Sequence, residues 1–282
     1  MQVELVHVTT RDGVRLDGML QLPSISTKAW PIDAICCVHG TGGNFYGSTL
    51  FDALAARALE QGCAVLRVNT RGHDGISNAV TTKGGRRLGA AYEIVDDCRH
   101  DLAAWVEFLN SRSSARVAFV GHSLGAVKCL YALAKEPSVE VACVVAISPP
   151  RLSYSWFRDS PEGSKFLETY QRADALVQAN EPGALLEVQL PLPFVITAAG
   201  YVEKYGPDER YNYLRFLKSV HAPTLITLGE IEIANNMAFR GAADAIAQPA
   251  PKTPVAIVAG ADHFYSQARD ALVDTVDTWM RR

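Results

Sequence analysis

The chain has 282 residues, 48% of them hydrophobic and 20% charged, the composition of an ordinary globular protein, with length for one large domain or one domain carrying a sizeable insertion. A net charge of -3 is too small for the electrostatic footprint of a nucleic-acid or anionic-membrane binder. No positively charged start leads into an apolar run, so no signal peptide is expected, and no apolar stretch approaches the ~18 residues needed to span a bilayer. Six cysteines (Cys36, Cys37, Cys63, Cys98, Cys129 and Cys143) are scattered through mostly apolar runs, with no Cys-x-x-Cys and no zinc spacing. They read as buried small hydrophobes in a reducing, cytoplasmic setting.

Residues 3–9 alternate, Arg11-Asp12-Gly13 turns, and 14–22 run on as a second strand, predicting a hairpin. Residues 23–31 read as a loop. The continuous apolar run 34–38 suits a strand buried on both faces, and it ends in His39-Gly40-Thr41-Gly42-Gly43-Asn44. A helix is predicted over 48–61, with Leu50, Phe51, Leu54, Ala55 and Ala58 on one face, then a buried strand over 63–68. Residues 78–92 carry many Gly, Arg and Lys without periodicity and read as a long loop over the sheet edge. An amphipathic helix follows over 94–109, with Asp96 and Asp97 near its start, where the helix dipole favours them. Residues 115–120 read as a buried strand and 126–135 as a helix, and 139–147 as another buried strand closed by Ser148-Pro149-Pro150.

This alternation predicts an α/β architecture, a mostly parallel central sheet with helices on both faces. The pattern breaks over 151–221, where helical stretches (163–179 and 209–219) and proline-bearing apolar loops occur without a buried strand. It resumes with strands at 224–228 and 255–258 and helices near 236–247 and 264–280. The expected organisation is a core of 1–150 and 222–282, with 151–221 as an inserted, mainly helical cap.

Chemistry concentrates at Gly121-His122-Ser123-Leu124-Gly125. A Gly-x-Ser-x-Gly run alone could be a strand-to-helix turn with an idle serine. With a buried strand before it and a helix after it, the run reads as a nucleophile elbow, a turn so tight that small residues must flank the serine. A serine hydroxyl is a poor nucleophile at neutral pH and needs a base, which in turn needs an orienting acid. His263, in the loop that follows the last predicted strand, is the expected base. The acid belongs after the preceding strand, at Gly229-Glu230-Ile231-Glu232, where Glu232 has the preferred spacing and Glu230 is the fallback. Asp262 adjoins His263 and is badly placed to reach back to it. For the oxyanion, the expected donors are the backbone N–H groups of Leu124 and Thr41, with Gly42 next after Thr41.

Taken together, His39-Gly40-Thr41-Gly42-Gly43, Asn69-Thr70-Arg71-Gly72-His73-Asp74, Gly121-His122-Ser123-Leu124-Gly125, Gly229-Glu230-Ile231-Glu232 and Gly260-Ala261-Asp262-His263 resemble the α/β-hydrolase superfamily, in the family's order and across the chain outside the cap. Many relatives have Asp-x-Arg-Gly-His-Gly-x-Ser where Asn69, Asp74 and Ser77 stand here, a variation in a structural loop. The start of the glycine-rich loop and the Ser-Pro-Pro opening of the cap resemble hydrolases grouped with siderophore esterases. The resemblance implies an α/β-hydrolase fold. A serine at the elbow implies an esterase, lipase, thioesterase, peptidase or C–C bond hydrolase, and argues against dehalogenases and epoxide hydrolases, which carry aspartate there.

The expected activity is hydrolysis of a small-molecule carboxylic ester or thioester through an acyl-enzyme, with no metal or organic cofactor and neither nucleic acid nor membrane as partner. An acyltransferase, a C–C hydrolase or a non-catalytic small-molecule receptor are the alternatives; the receptor is disfavoured because it needs no complete triad. Phe45 and Tyr46, beside the glycine-rich loop, are candidates for the acyl pocket. Phe157, Phe166, Tyr170, Leu190, Leu192, Phe194 and Tyr201 could line it from the cap or pack the cap's own helices. Lys83, Arg86 and Arg87 could meet an acidic group or belong to a solvated loop.

Overall fold

The computed structural model describes residues 3–25, 27–113 and 116–282. Ala115, at the start of the predicted elbow strand, and Ser26, in the 23–31 loop, lie outside the described residues. In chain order the core opens with β1 (Val3–Thr9), β2 (Arg15–Gln21), β3 (Ala34–Val38), α1 (Thr49–Glu60) and β4 (Ala64–Val68). Next come β5 (Ser77–Thr81), β6 (Gly84–Leu88), α2 (Cys98–Ser113), β7 (Val117–His122), α3 (Leu124–Lys135) and β8 (Cys143–Ile147). The intervening segment holds α4 (Tyr154–Arg158), α5 (Gly163–Gln178), β9 (Leu185–Val188), β10 (Phe194–Thr197) and α6 (Ala198–Tyr205). The core closes with β11 (Thr224–Gly229), α7 (Glu230–Asn235), α8 (Ala242–Ala247), β12 (Val255–Val258) and α9 (Arg269–Met280).

Eight strands form one sheet in the order β1-β2-β4-β3-β7-β8-β11-β12. β1 and β2 run antiparallel, and β4 onward is parallel. The continuous apolar runs of β3, β7 and β8 are buried at every residue because helices cover both faces of the sheet. α2 and α3 pack one face with Trp105, Leu102, Leu130 and Tyr131 in its core, and α1 and α9 pack the other with Phe51, Leu54, Leu272 and Val276. All six cysteines are buried. No helix among the described residues is long and apolar enough to cross a membrane.

The sheet order reverses between β3 and β7, which are parallel neighbours with Val38 opposite Gly121. At such a switch point the loops leaving the two strands diverge to opposite sides and open a crevice at their carboxyl ends. Register thus sets the glycine-rich loop after β3 beside the turn after β7. Below this crevice the Arg71 guanidinium is buried among Asp101 at 2.7 Å and Asp12 and Asp97 at 2.9 Å, tying the 69–74 loop to the first hairpin and to α2.

Two stretches read as irregular are strands. Residues 77–88 form the antiparallel β5–β6 hairpin, closed at Thr81, whose Oγ1 donates to the Gly84 carbonyl at 2.7 Å. Its β6 strand, Gly84–Leu88, is exposed except at Leu88, so no hydrophobic alternation marks it. Within 151–221 a second hairpin, β9–β10, buries Leu186, Val188 and Ile196. The helix expected over 209–219 is two short 3-10 turns, Tyr213–Arg215 and Leu217–Ser219. The helices near 236–247 and 264–280 shorten to Ala242–Ala247 and Arg269–Met280, since Gly241 takes a left-handed φ of 64° and residues 262–265 are spent on a turn.

Candidate active site

Ser123 stands at the turn between β7 and α3 with φ 56° and ψ −127°, a conformation that L-residues adopt only when the surroundings enforce it. The enforcement comes from close backbone approach on both sides. A Cβ on Gly121 would sit 2.6 Å from the Gly125 carbonyl, and one on Gly125 would sit 2.2 Å from that of Val38. Only glycine permits this approach, and it leaves the Ser123 side chain standing off the sheet end.

The loop after β12 brings His263 over the serine. Its Nε2 lies 3.0 Å from Ser123 Oγ and its Nδ1 lies 2.8 Å from Glu232 Oε2. A carboxylate only accepts, so Nδ1 carries the proton and the Nε2 lone pair faces the serine hydroxyl. Glu232 is buried, and its other oxygen accepts from the Gly229 N–H at 2.7 Å and from the Ser148 hydroxyl. Ser148 also lies 3.0 Å from the Tyr265 hydroxyl, so the carboxylate is held from both β8 and the 262–265 turn. The competing acids are elsewhere. Glu230 is exposed and accepts from the Gly260 N–H at 2.8 Å, and Asp262 accepts from the N–H groups of Phe264 and Ser266.

Gly40 abuts the serine, since a Cβ there would lie 2.9 Å from Ser123 Cβ. Among the described residues no acceptor takes the N–H of Thr41 or of Leu124, the first residue of α3. His122, the variable residue of the elbow, is buried under His263, with ring centroids 4.8 Å apart, and its Nε2–H donates to the His263 carbonyl at 2.8 Å. Burial, then the neighbouring His263, pushes His122 down to about 3, so it is a neutral support for the loop.

Ser123, His263, Thr41 and Leu124 all line one cavity of about 680 Å³. Its far walls are Pro150, Leu152, Phe157, Leu192, Tyr205 and Phe239, and no Lys, Arg, Asp or Glu is among the lining residues. That size and apolar character suit a small-molecule ligand. The acyl-pocket expectation for Phe45 and Tyr46 is corrected here, for neither lines the cavity. The Phe45 N–H donates to Asn69 Oδ1 at 3.0 Å and the Tyr46 hydroxyl donates to Asp74 at 3.2 Å, which ties this stretch to the 69–74 loop. Of the apolar candidates within 151–221, Phe157 and Leu192 reach the cavity. Phe166 packs on Phe157 and Tyr154, Tyr170 on Tyr154, and Tyr201 donates to the Leu190 carbonyl. Lys83, Arg86 and Arg87 are exposed on the β5–β6 hairpin, away from the cavity lining.

A family model described as alpha/beta hydrolase family matches residues 37–275. The chain belongs to the alpha/beta hydrolase family. Solved structures share the fold at low identity. The esterase domain of a Rhodothermus marinus protein is 20% identical, with 100% of this chain and 99% of that chain covered and a TM-score of 0.62. Est1E from Butyrivibrio proteoclasticus, solved with ferulic acid bound, is 15% identical over 97% of both chains, with a TM-score of 0.66. GrgF, an alpha/beta hydrolase from Penicillium sp. sh18, is 16% identical, covers 100% of this chain and 99% of its own, and gives a TM-score of 0.68. No curated protein matches the chain. In this alpha/beta hydrolase, sequence reasoning missed Ser148, Tyr265 and His122 as supports of Glu232 and His263. Ser148 had one signal, its place at the end of the strand that neighbours the elbow strand.

Proposed function

We propose that this alpha/beta hydrolase is a serine hydrolase that cleaves a carboxylic ester through an acyl-enzyme. The observation that carries the reading is the unbroken line Glu232–His263–Ser123, with steps of 2.8 and 3.0 Å, that ends in the cavity. His263 Nε2 takes the hydroxyl proton as Ser123 Oγ attacks the ester carbonyl. The N–H groups of Thr41 and Leu124 receive the oxyanion, and preorganised donors of this kind are each worth about 10²–10³-fold in kcat. The proton then passes from Nε2 to the departing alkoxide. A water gives its proton to the same nitrogen, attacks the acyl carbonyl, and Ser123 leaves reprotonated. Throughout, Glu232 fixes the Nδ1–H tautomer and offsets the charge of the imidazolium.

In this reading residues 1–150 and 222–282 are the catalytic core and 151–221 a cap whose Leu152, Phe157, Leu192 and Tyr205 close the cavity from above. With no ionised side chain of Lys, Arg, Asp or Glu in the lining, the reading favours an uncharged small-molecule ester. A thioester would use the same groups. The test is labelling of the folded protein with a fluorophosphonate probe, followed by peptide mapping. A label on Ser123, lost in Ser123→Ala together with at least ~10³-fold of turnover, is expected. Folded protein that takes no label, or whose Ser123→Ala form keeps more than about a tenth of the turnover, refutes it.

A further inference from the structure

Beneath the site lies a second polar system that the triad does not use. Lys128, on α3, has no exposure at all, and Glu93 and Lys204 are 1% and 2% exposed. The Lys128 ammonium forms an ion pair with Glu93 at 2.5 Å, and Lys204, from α6, approaches the same carboxylate at 3.7 Å. Replacing such a buried pair by apolar residues is often neutral or even stabilising, so stability alone does not explain it. Its hydrogen bonds lead toward the serine.

Lys128 Nζ donates to Thr70 Oγ1 at 2.9 Å. That leaves the Thr70 hydroxyl proton for His39 Nε2, at 3.2 Å, which also accepts from the Thr70 N–H at 3.0 Å. With two donors on Nε2, the His39 proton resides on Nδ1, where it donates to the Gly40 carbonyl at 2.8 Å. Burial, then the Lys128 charge, pushes His39 down to about 3, so the ring stays neutral and in this tautomer. The Gly43 N–H adds a second bond to the Gly40 carbonyl at 3.1 Å. In a trans peptide the C=O and N–H point in opposite directions. Drawing the Gly40 carbonyl toward His39 therefore turns the Thr41 N–H away from His39.

We propose that Lys128 and Thr70 are positioning residues for the oxyanion loop, acting through His39 to hold the Gly40–Thr41 peptide, with Glu93 anchoring the ammonium. This rests on the serine-hydrolase reading. The glycine-rich loop needs such a hold because its own residues supply little packing, and a donor about 1 Å out of place can cost up to ~10²-fold.

The test compares Thr70→Val, which keeps the shape but removes the hydroxyl, with Thr70→Ser, which restores it, and with Lys128→Met and Ser123→Ala. Hydrolysis of a p-nitrophenyl ester gives kcat and KM. Inhibition by a trifluoromethyl ketone, whose adduct with the serine carries an oxyanion, reads the loop directly. Thr70→Val and Lys128→Met are expected to lower kcat about 10–100-fold, to leave KM within about twofold, and to weaken the ketone by the same factor as kcat. Thr70→Ser is expected to stay within about threefold of wild type. If Lys128→Met fails to fold, the two Thr70 variants decide the matter. Thr70→Val with wild-type kcat, a loss confined to KM, unchanged ketone affinity, or Thr70→Ser as poor as Thr70→Val overturns the positioning role while an inactive Ser123→Ala leaves the hydrolase reading standing. Full activity in Ser123→Ala overturns both.

Discussion

Glu232→Gln tests the proposed chemistry at its most sensitive point, because it changes one acceptor into a donor without changing shape. The Gly229 N–H, 2.7 Å from Oε1, is a fixed donor and retains the amide oxygen of the new side chain. The amide nitrogen is thereby turned to His263 Nδ1, where the carboxylate oxygen now lies at 2.8 Å. Two facing N–H donors cannot pair, so the imidazole moves its proton to Nε2 and presents a donor to Ser123 in place of a lone pair. The corresponding carboxylate-to-amide change in a serine–histidine–aspartate site costs about 10⁴ in kcat, or about 5.5 kcal/mol at 1.36 kcal/mol per tenfold. We expect the same order here, with KM little changed and thermal unfolding close to wild type. Glu230→Gln, by contrast, touches an exposed carboxylate bound to the Gly260 N–H and should stay within about threefold. Steady-state hydrolysis of a p-nitrophenyl ester by both variants is the assay. Glu232→Gln retaining more than a tenth of kcat, or Glu230→Gln proving the worse, would refute the assignment of the acid.

Two further predictions concern the scaffold. Gly125→Ala places a Cβ 2.2 Å from the Val38 carbonyl and 2.5 Å from that of His39, so β3 must move away from the elbow; a loss of about 3 kcal/mol, roughly 6–9 °C in Tm, is expected together with most of the activity, and a Tm within about 2 °C of wild type would contradict the close-approach argument. Glu203, on α6, is pushed up to about 7 by burial, against the partial offsets of the Val95 N–H, Lys204 and Arg210. A carboxyl whose folded value is raised holds its proton more tightly when folded, so stability falls as pH rises from about 4.5 to about 7 and is flat beyond. The span is at most about 3 kcal/mol. Glu203→Gln should remove this slope and unfold at a higher temperature than wild type at pH 8; a lower Tm there would show that the carboxylate is stabilising after all.

The parts of the fold legible in the sequence were those whose burial is written locally. The runs at Ala34–Val38, Val117–His122 and Cys143–Ile147 are apolar because a parallel strand there is covered on both faces, and the ends of the first two carry the loops that meet at the serine. Ser123, His263 and Glu232 could be expected together because each follows a strand of this architecture, and the structure sets them in line. β5–β6 could not, because Gly84, Gly85, Arg86 and Arg87 are exposed and their pairing depends on a partner strand and not on burial. β9–β10 was hidden by the prolines of the connecting loop. Phe45 and Tyr46 were misjudged because nearness to the glycine-rich loop in sequence does not say whether a side chain lines the cavity, and neither does. The buried charges were invisible for the same reason. Lys128 looks like a solvent-facing helix residue until Glu93, far away in the chain, is folded against it.

That buried carboxylate also bears on how the proposed 151–221 cap can change. Glu93 lies in the proposed core, and of the two ammonium groups that flank it, one comes from α3, the helix behind the serine, and the other from α6, within the proposed cap. Most of an inserted segment is free to drift in sequence, because its outer surface answers only to water. Position 204 is not free in that way. A graft that brought in another relative's 151–221 segment would inherit the obligation to present a cation there, or to alter Glu93 in step. Interchange of this segment is thus coupled, through one residue, to the helix that follows Ser123.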